Sequence, residues 1–171
     1  MTKILVAVDG SSSSMDAVRH CIGLVSNGLR AKVVLGQVQE EASFLELATR
    51  DADAIAQAAM DAGKTLMAPA VVELQAAGVP FEQEVALGEP GTALVDMAER
   101  LQCDFIVVGA RGMGALRRAF MGSVSQSVLN HSPLPVVVVK PQINPAMDVL
   151  GEQGAQVMSD GVTPLGVKVG L

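Results

Sequence analysis

Aromatic residues are almost missing from this chain. Its 171 residues include no Trp, no Tyr and four Phe, so it lacks the platform on which nucleic-acid bases stack. Positive charge is scarce too. Twelve Lys and Arg face 18 Asp and Glu, for a formal net charge of −6, the reverse of the basic footprint that a phosphate backbone demands. Both shortages exclude nucleic acid as a partner. No apolar run reaches the ~18 residues of a membrane span, although half the residues are hydrophobic and the mean hydropathy is +0.40, so no membrane insertion is expected. The amino terminus enters a strand pattern at Lys3 without the features of a secretory signal, and a cytoplasmic location is expected. There are only two cysteines. Cys21 falls in a helical pattern and Cys103 just before a strand, so both read as small, reduced core residues. Neither they nor His20 and His131 have metal-ligand spacing.

What is present is an alternation of strand and helix patterns. Ile4-Leu5-Val6-Ala7-Val8 is a continuous apolar run, as in a strand covered on both faces. Asp9-Gly10 and the serines at 11 to 14 supply turn and cap chemistry. Ala17, Val18, Cys21, Ile22, Leu24 and Val25 then recur at helical spacing, and Gly28 closes that helix. Val33 to Val38 is a second strand. Residues 41 to 77 are mostly helical in pattern, with a stripe of Ile55, Ala59, Ala62, Leu66, Ala70, Leu74 and Ala77. Gly63 and Pro69 interrupt it, which predicts a kink or a break into two helices. Phe81 to Leu87 alternates in polarity like an edge strand. A helix with Pro90 in its first turn follows, then a strand at Phe105 to Val108, a short helix from Val124 to Asn130, and a fifth strand at Val136 to Val139. Nine Met fill a core that has few rings.

Such an order implies βαβ units and a parallel sheet, with ligands at the carboxyl ends of the strands. One domain is expected over 1–140. Residues 141–171, richer in Gly and Pro, form a C-terminal extension without assigned chemistry.

The chemistry concentrates in a spaced glycine set after the fourth strand: Gly109, two residues, Gly112, nine residues, then Gly122-Ser123. Glycines free the backbone for close approach, and a helix start offers unpaired N–H groups and a partial positive charge to an anion. Ser123 and Ser125 add hydroxyl donors, and Arg111, Arg117 and Arg118 add local positive charge. Taken singly, each feature has a plain structural reading. Gly109 would be a tight turn, Asp9 a helix cap, Gly122-Ser123 a helix start, and the arginines a solvated face. Other nucleotide signatures fail. No Walker sequence places a lysine on phosphates, Arg117 stands where a dinucleotide fingerprint needs its third glycine, and no nucleophile–His–acid set is visible.

The spacing Gly109-Ala110-Arg111-Gly112…Gly122-Ser123 resembles the ATP-binding signature of the universal stress protein family. The resemblance runs in order from residue 1 to about 140, including Asp9 after the opening strand and Pro135-Val136-Val137-Val138-Val139 at the close. It implies a doubly wound, Rossmann-like five-stranded parallel sheet of order 3-2-1-4-5 with helices on both faces. It also implies a nucleotide site in which Ala7 and Val8 line the pocket. Asp9 would bind ribose hydroxyls or hold Mg by way of the nucleotide. Val38 would meet adenine through its main chain, and Val108 and Gly109 would lie against the adenosine. Gly112, Gly122, Ser123, Val124 and Ser125 would surround the phosphates. The implied cofactor is ATP, or AMP or ADP, with Mg. The implied assembly is a homodimer paired through residues 136–139, with room for a further protein partner. Three functions compete: a regulatory or protective ATP-binding module in stress response, a slow Mg-dependent ATP hydrolase, and an interaction protein with an unused site. No catalytic residue is assigned.

Overall fold

A computed structural model describes residues 1–40, 52–111 and 121–140. Five strands, β1 (Thr2–Ala7), β2 (Ala31–Gln39), β3 (Phe81–Leu87), β4 (Phe105–Gly109) and β5 (Val136–Val139), form one sheet. All its pairs are parallel and its order is β3-β2-β1-β4-β5. Four helices alternate with them among the described residues: α1 (Ser12–Ser26), α2 (Ala52–Ala76), α3 (Pro90–Arg100) and α4 (Ser123–His131). This is the doubly wound α/β fold expected from the sequence.

Strand alternation sorts the core into two layers. Ile4, Val6, Val33 and Leu35 point to one face and pack with Met15, Val18, Met67 and Leu74 from α1 and α2. Leu5, Val34, Ile106 and Val108 point to the other and pack with Leu94, Met97 and Val128 from α3 and α4. Cys21 and Cys103 are buried, unpaired thiols within these layers. The edge character of β3 holds, since its pattern leaves Glu82 and Gln83 exposed beyond β2.

Of the predicted kink or break into two helices, the break does not occur. α2 runs without a break through Gly63 and Pro69. Pro69 cannot bond the Thr65 carbonyl, yet both residues lie on the exposed side, where water can satisfy that acceptor. The buried stripe also differs from the predicted one. It runs through Gly63, Met67, Ala70 and Leu74, while Ala62 and Ala77 are exposed. Gly63 explains the rotation, because a Cβ there would sit 2.5 Å from Gln37 Oε1 and 2.7 Å from Val85 Cγ1. Its absence lets α2 lie directly on β2 and β3. Among the described residues, no helix is long and apolar enough to cross a membrane.

Candidate functional site

The strand order reverses between β1 and β4. α1 leaves β1 on one face of the sheet and α4 leaves β4 on the other, which opens a crevice at their carboxyl ends. β1 is in register with β4 up to Val6 and Val107, and with β2 up to Ala7 and Gly36. Val8 adds one further bond, its N–H reaching Gly36 O at 2.8 Å. Asp9, Val38 and Gly109 therefore lie at or just past the last shared rungs, at the same end of the sheet.

The β1 wall is a tight turn. Asp9 is partly exposed, and its Oδ1 accepts the Ser11 N–H at 3.0 Å. Gly10 has φ +81°, a left-handed value that suits glycine. The cap of α1 is Ser11, whose hydroxyl accepts the Ser14 N–H at 3.1 Å. Asp9 is thus a turn residue two positions before the cap, just past the carboxyl end of β1.

The β4 wall is a junction of two helices. Gly109 is buried between the first turns of α1 and α4. A Cβ there would stand 2.5 Å from Ser13 O and 2.7 Å from Ser13 Oγ, so α1 crosses β4 at backbone distance. On the other face, Ser125 Oγ donates to Gly109 O at 2.7 Å. Ser13 Oγ in turn accepts the Arg111 N–H at 3.2 Å. The Gly122 N–H returns to Ala110 O at 2.8 Å, and the Ala110 N–H reaches Val139 O at 2.8 Å. Ala110 and Gly122 are thereby held together on either side of the segment 112–120. Gly112, Arg117 and Arg118 fall on this segment, outside the described residues.

α4 starts without a side-chain cap on Gly122, so the N–H groups of Ser123, Val124 and Ser125 have no intrahelical acceptor. Ser123 is exposed and Val124 half-buried. The Ser125 hydroxyl is 4% exposed and committed to Gly109, so Ser125 can offer an anion its backbone N–H but not the hydroxyl donor expected from the sequence. Arg111 Nε is buried without a hydrogen-bond partner.

Val38 forms the β2 wall. Gly36 O accepts from β1, and Gln39 O accepts the Gly88 N–H at 3.0 Å on the β3 side. Backbone groups alternate sides along a parallel strand, so Val38 turns its N–H and C=O toward β1, past the point where β1 ends. Its side chain packs against the core layer that holds Leu94 and Met97 of α3. Gln37, on the opposite face, is 4% exposed, and its Nε2 donates to Val38 O at 3.0 Å.

Thus Ala7, Val8, Asp9, Val38, Val108, Gly109, Gly122, Ser123, Val124 and Ser125 all sit at one end of the sheet. Two residues there escaped the sequence reading. Ser13 had no signal beyond membership of a serine run. Gln37 had one: it is the sole polar side chain in Val33-Val34-Leu35-Gly36-Gln37-Val38. Among the described residues, no three His, Cys, Asp or Glu cluster as metal ligands. A cation beside Asp9 would therefore take further ligands from a bound phosphate. The nearby Glu89 carboxylate is spent on its own helix. It accepts the Gly91 and Thr92 N–H groups at 3.0 and 2.7 Å, which hold it below the usual carboxylate range. A broad recess of about 790 Å³ lies at the other end of the sheet, lined by Met1, Val25, Leu29, Arg30 and Pro80 among others. It lacks convergent polar side chains and is the poorer candidate despite its size.

The family model that matches this chain is that of the Universal stress protein family, over residues 1–140. Universal stress protein MJ0531 of Methanocaldococcus jannaschii is 29% identical over 139 residues, covering 81% of each chain. Among solved structures, that of hypothetical protein MJ0577 superposes with a TM-score of 0.72 at 25% identity, over 84% of this chain and 98% of that one. The universal stress protein family protein At3g01520 of Arabidopsis thaliana, solved with AMP bound, gives 0.63 at 25% identity, over 85% and 95%.

Proposed function

The chain belongs to the universal stress protein family, and from that premise we propose that it binds an adenine nucleotide, ATP foremost, in a regulatory or protective role in stress response. The observation that carries this reading is the uncapped start of α4. Three N–H groups there have no intrahelical acceptor, and Asp9 and Val38 lie at the carboxyl ends of strands in the same sheet. A helix start of this kind favours an anion by roughly 0.3–2 kcal/mol before any direct hydrogen bond is counted. A phosphate would sit on Ser123, Val124 and Ser125. The ribose would meet Asp9, and the base would meet Val38. Mg would be held between Asp9 and the phosphates. The AMP seen with the Arabidopsis protein supports an adenine nucleotide as the ligand class.

Holding fits this site better than cleaving. The nearest carboxylate on α3 caps its own helix, and the Ser125 hydroxyl is tied to Gly109. Our reading adds a homodimer through β5, which among the described residues is the sheet's outer strand beside β4 and whose outer edge invites pairing, and a cytoplasmic location. Calorimetric titration of nucleotide-stripped protein with ATP, AMP and Mg tests the central point. Binding that is lost in Gly122→Val is expected, and no heat at millimolar nucleotide refutes the reading.

A further inference from the structure

Three helices end in the same motif. After α1, the Gly28 N–H donates to Val25 O and the Leu29 N–H to Leu24 O, both at 3.0 Å. Gly78 and Val79 repeat these bonds on Gln75 and Leu74 after α2, and Gln102 and Cys103 repeat them on Glu99 and Ala98 after α3. The turning residue is left-handed each time, with φ +101°, +66° and +54° for Gly28, Gly78 and Gln102, as this closure requires. The residue before it is Asn27, Ala77 and Leu101 in turn. Ala and Leu serve there as well, so the cap makes no demand for Asn. Asn27 is also the only Asn of the chain that precedes a Gly. Both Asn27 and Gly28 are exposed, and no atom lies within 4 Å of where a Gly28 Cβ would stand.

We propose that Asn27 is a spontaneous modification site, a carboxamide that the Gly28 backbone converts to aspartate and isoaspartate. The Gly28 nitrogen attacks Asn27 Cγ, its proton leaves with Nδ2 as ammonia, and a five-membered succinimide closes. Water then opens that ring at either carbonyl. The net change is one water taken up and one ammonia released. Glycine hinders the attack least, because no side chain stands beside the nucleophile. The folded cap holds the reaction off. Ring closure needs Gly28 N rotated against Asn27 Cβ, whereas Asn27 sits at ψ 12°, turned well away, and the attacking N–H is engaged by Val25 O. The end of α1 must therefore open before the ring can form. The isoaspartate product lengthens the main chain by one methylene, so Gly28 and Leu29 lose their register on Val25 and Leu24. The new carboxylate also stands at the negative end of the α1 dipole. Leu29 packs on the core and Ala31 begins β2, so the modified chain is loosened where α1 hands over to β2.

The test incubates the full chain at mildly alkaline pH, which favours loss of the amide proton, both folded and in guanidinium. Peptide mass spectrometry and isoaspartate methyl labelling map the products. Asn27 should react ahead of Asn130 and Asn144 in the unfolded chain, and folding should slow it about tenfold or more, the opening equilibrium of a closed helix end. The isolated isoaspartate form should melt below the unmodified protein. Asn27→Ala, which carries the residue that α2 uses, should stay folded and unmodified at this position. Equal rates in the folded and unfolded chain, or an Asn27 that stays intact when unfolded, would overturn the proposal. An isoaspartate form that melts with the unmodified protein would sink the loosening of α1.

Discussion

Gly109→Ala isolates the most demanding contact in the molecule. The new Cβ would meet Ser13 O at 2.5 Å, Ser13 C at 2.6 Å and Ser13 Oγ at 2.7 Å. Two of these atoms are backbone, so no rotamer change relieves them. The first turn of α1 must move away from β4 by roughly half an ångström or more, and the Ser13–Arg111 hydrogen bond stretches with it. Overpacking of this kind costs about 1–3 kcal/mol. Against it stands the smaller entropy of an unfolded chain with Ala in place of Gly, worth about 0.4–1 kcal/mol in the opposite direction. The net expectation is a loss of about 1–2 kcal/mol, or roughly 2–8 °C in Tm for a domain of this size. Gly23→Ala is the control. Gly23 lies inside α1 with nothing within 4 Å of a Cβ, and helix propensity predicts a gain of about 0.5–1 kcal/mol. Thermal melts by circular dichroism measure both. Equal Tm values for the two variants would refute the close crossing of α1 over β4, and with it the structural account of the first glycine of the motif.

Removing the α3 cap with Glu89→Ala should cost about 0.5–1 kcal/mol at neutral pH. The native Glu89 carboxyl titrates below its ordinary value because Thr92 and Gly91 donate to it. Its contribution is therefore present above the ordinary carboxylate pKa and disappears as pH falls through the lowered native value. Urea melts across that range should show wild type and variant converging in acid, and a constant gap would exclude the ionised cap. Burial pushes the Cys21 thiol up to about 12 and raises Cys103 as well. Neither should react with a disulfide reagent at pH 8 until the protein unfolds, and labelling of intact protein within the mixing time would contradict that burial. In β5, Pro135 O and Val139 O accept from β4, so the N–H of Val138 faces outward. Val138→Pro should convert a dimer paired through this edge to monomer, read by light scattering, while leaving the β4–β5 ladder intact; an unchanged dimer would place the interface elsewhere.

The strands were legible as short runs bounded by turn chemistry, and their order came with the family resemblance. β5 and β3 matched residue for residue. Their roles were legible as well, since alternation in Phe81–Leu87 marks a strand with one open side. The α2 stripe was misread because periodicity alone assigns a helix face by hydrophobicity. Here the face is set by a close approach at Gly63, a residue with no hydrophobicity to detect. Pro69 was read as a kink or a break, and the helix continues through it because the carbonyl it leaves unbonded is on the exposed side, which sequence does not record. In the site, the glycine spacing located the right end of the sheet but not the bonds within it. Whether the Ser125 hydroxyl meets a ligand or a carbonyl depends on where β4 ends relative to α4, and that offset is tertiary.

Those bonds change what the glycine motif means. The plain reading of Gly109 as a strand-end turn and the functional reading as a place for a ligand both omit its packing role. Ser13 presses on it from one face and Ser125 bonds it from the other. One backbone position thereby fixes the starts of α1 and α4 relative to each other. The turn that presents Asp9 precedes the first helix, and the uncapped N–H groups begin the second. A ligand spanning both would be measuring the distance that Gly109 sets. A change at Gly109 should then weaken nucleotide binding without removing any atom that touches the nucleotide, whereas a change at Gly122 should act at the phosphate itself. Gly109→Ala and the milder Gly122→Ala separate on salt: weakening at Gly122 should shrink the ionic-strength dependence of affinity, and weakening at Gly109 should leave it in place.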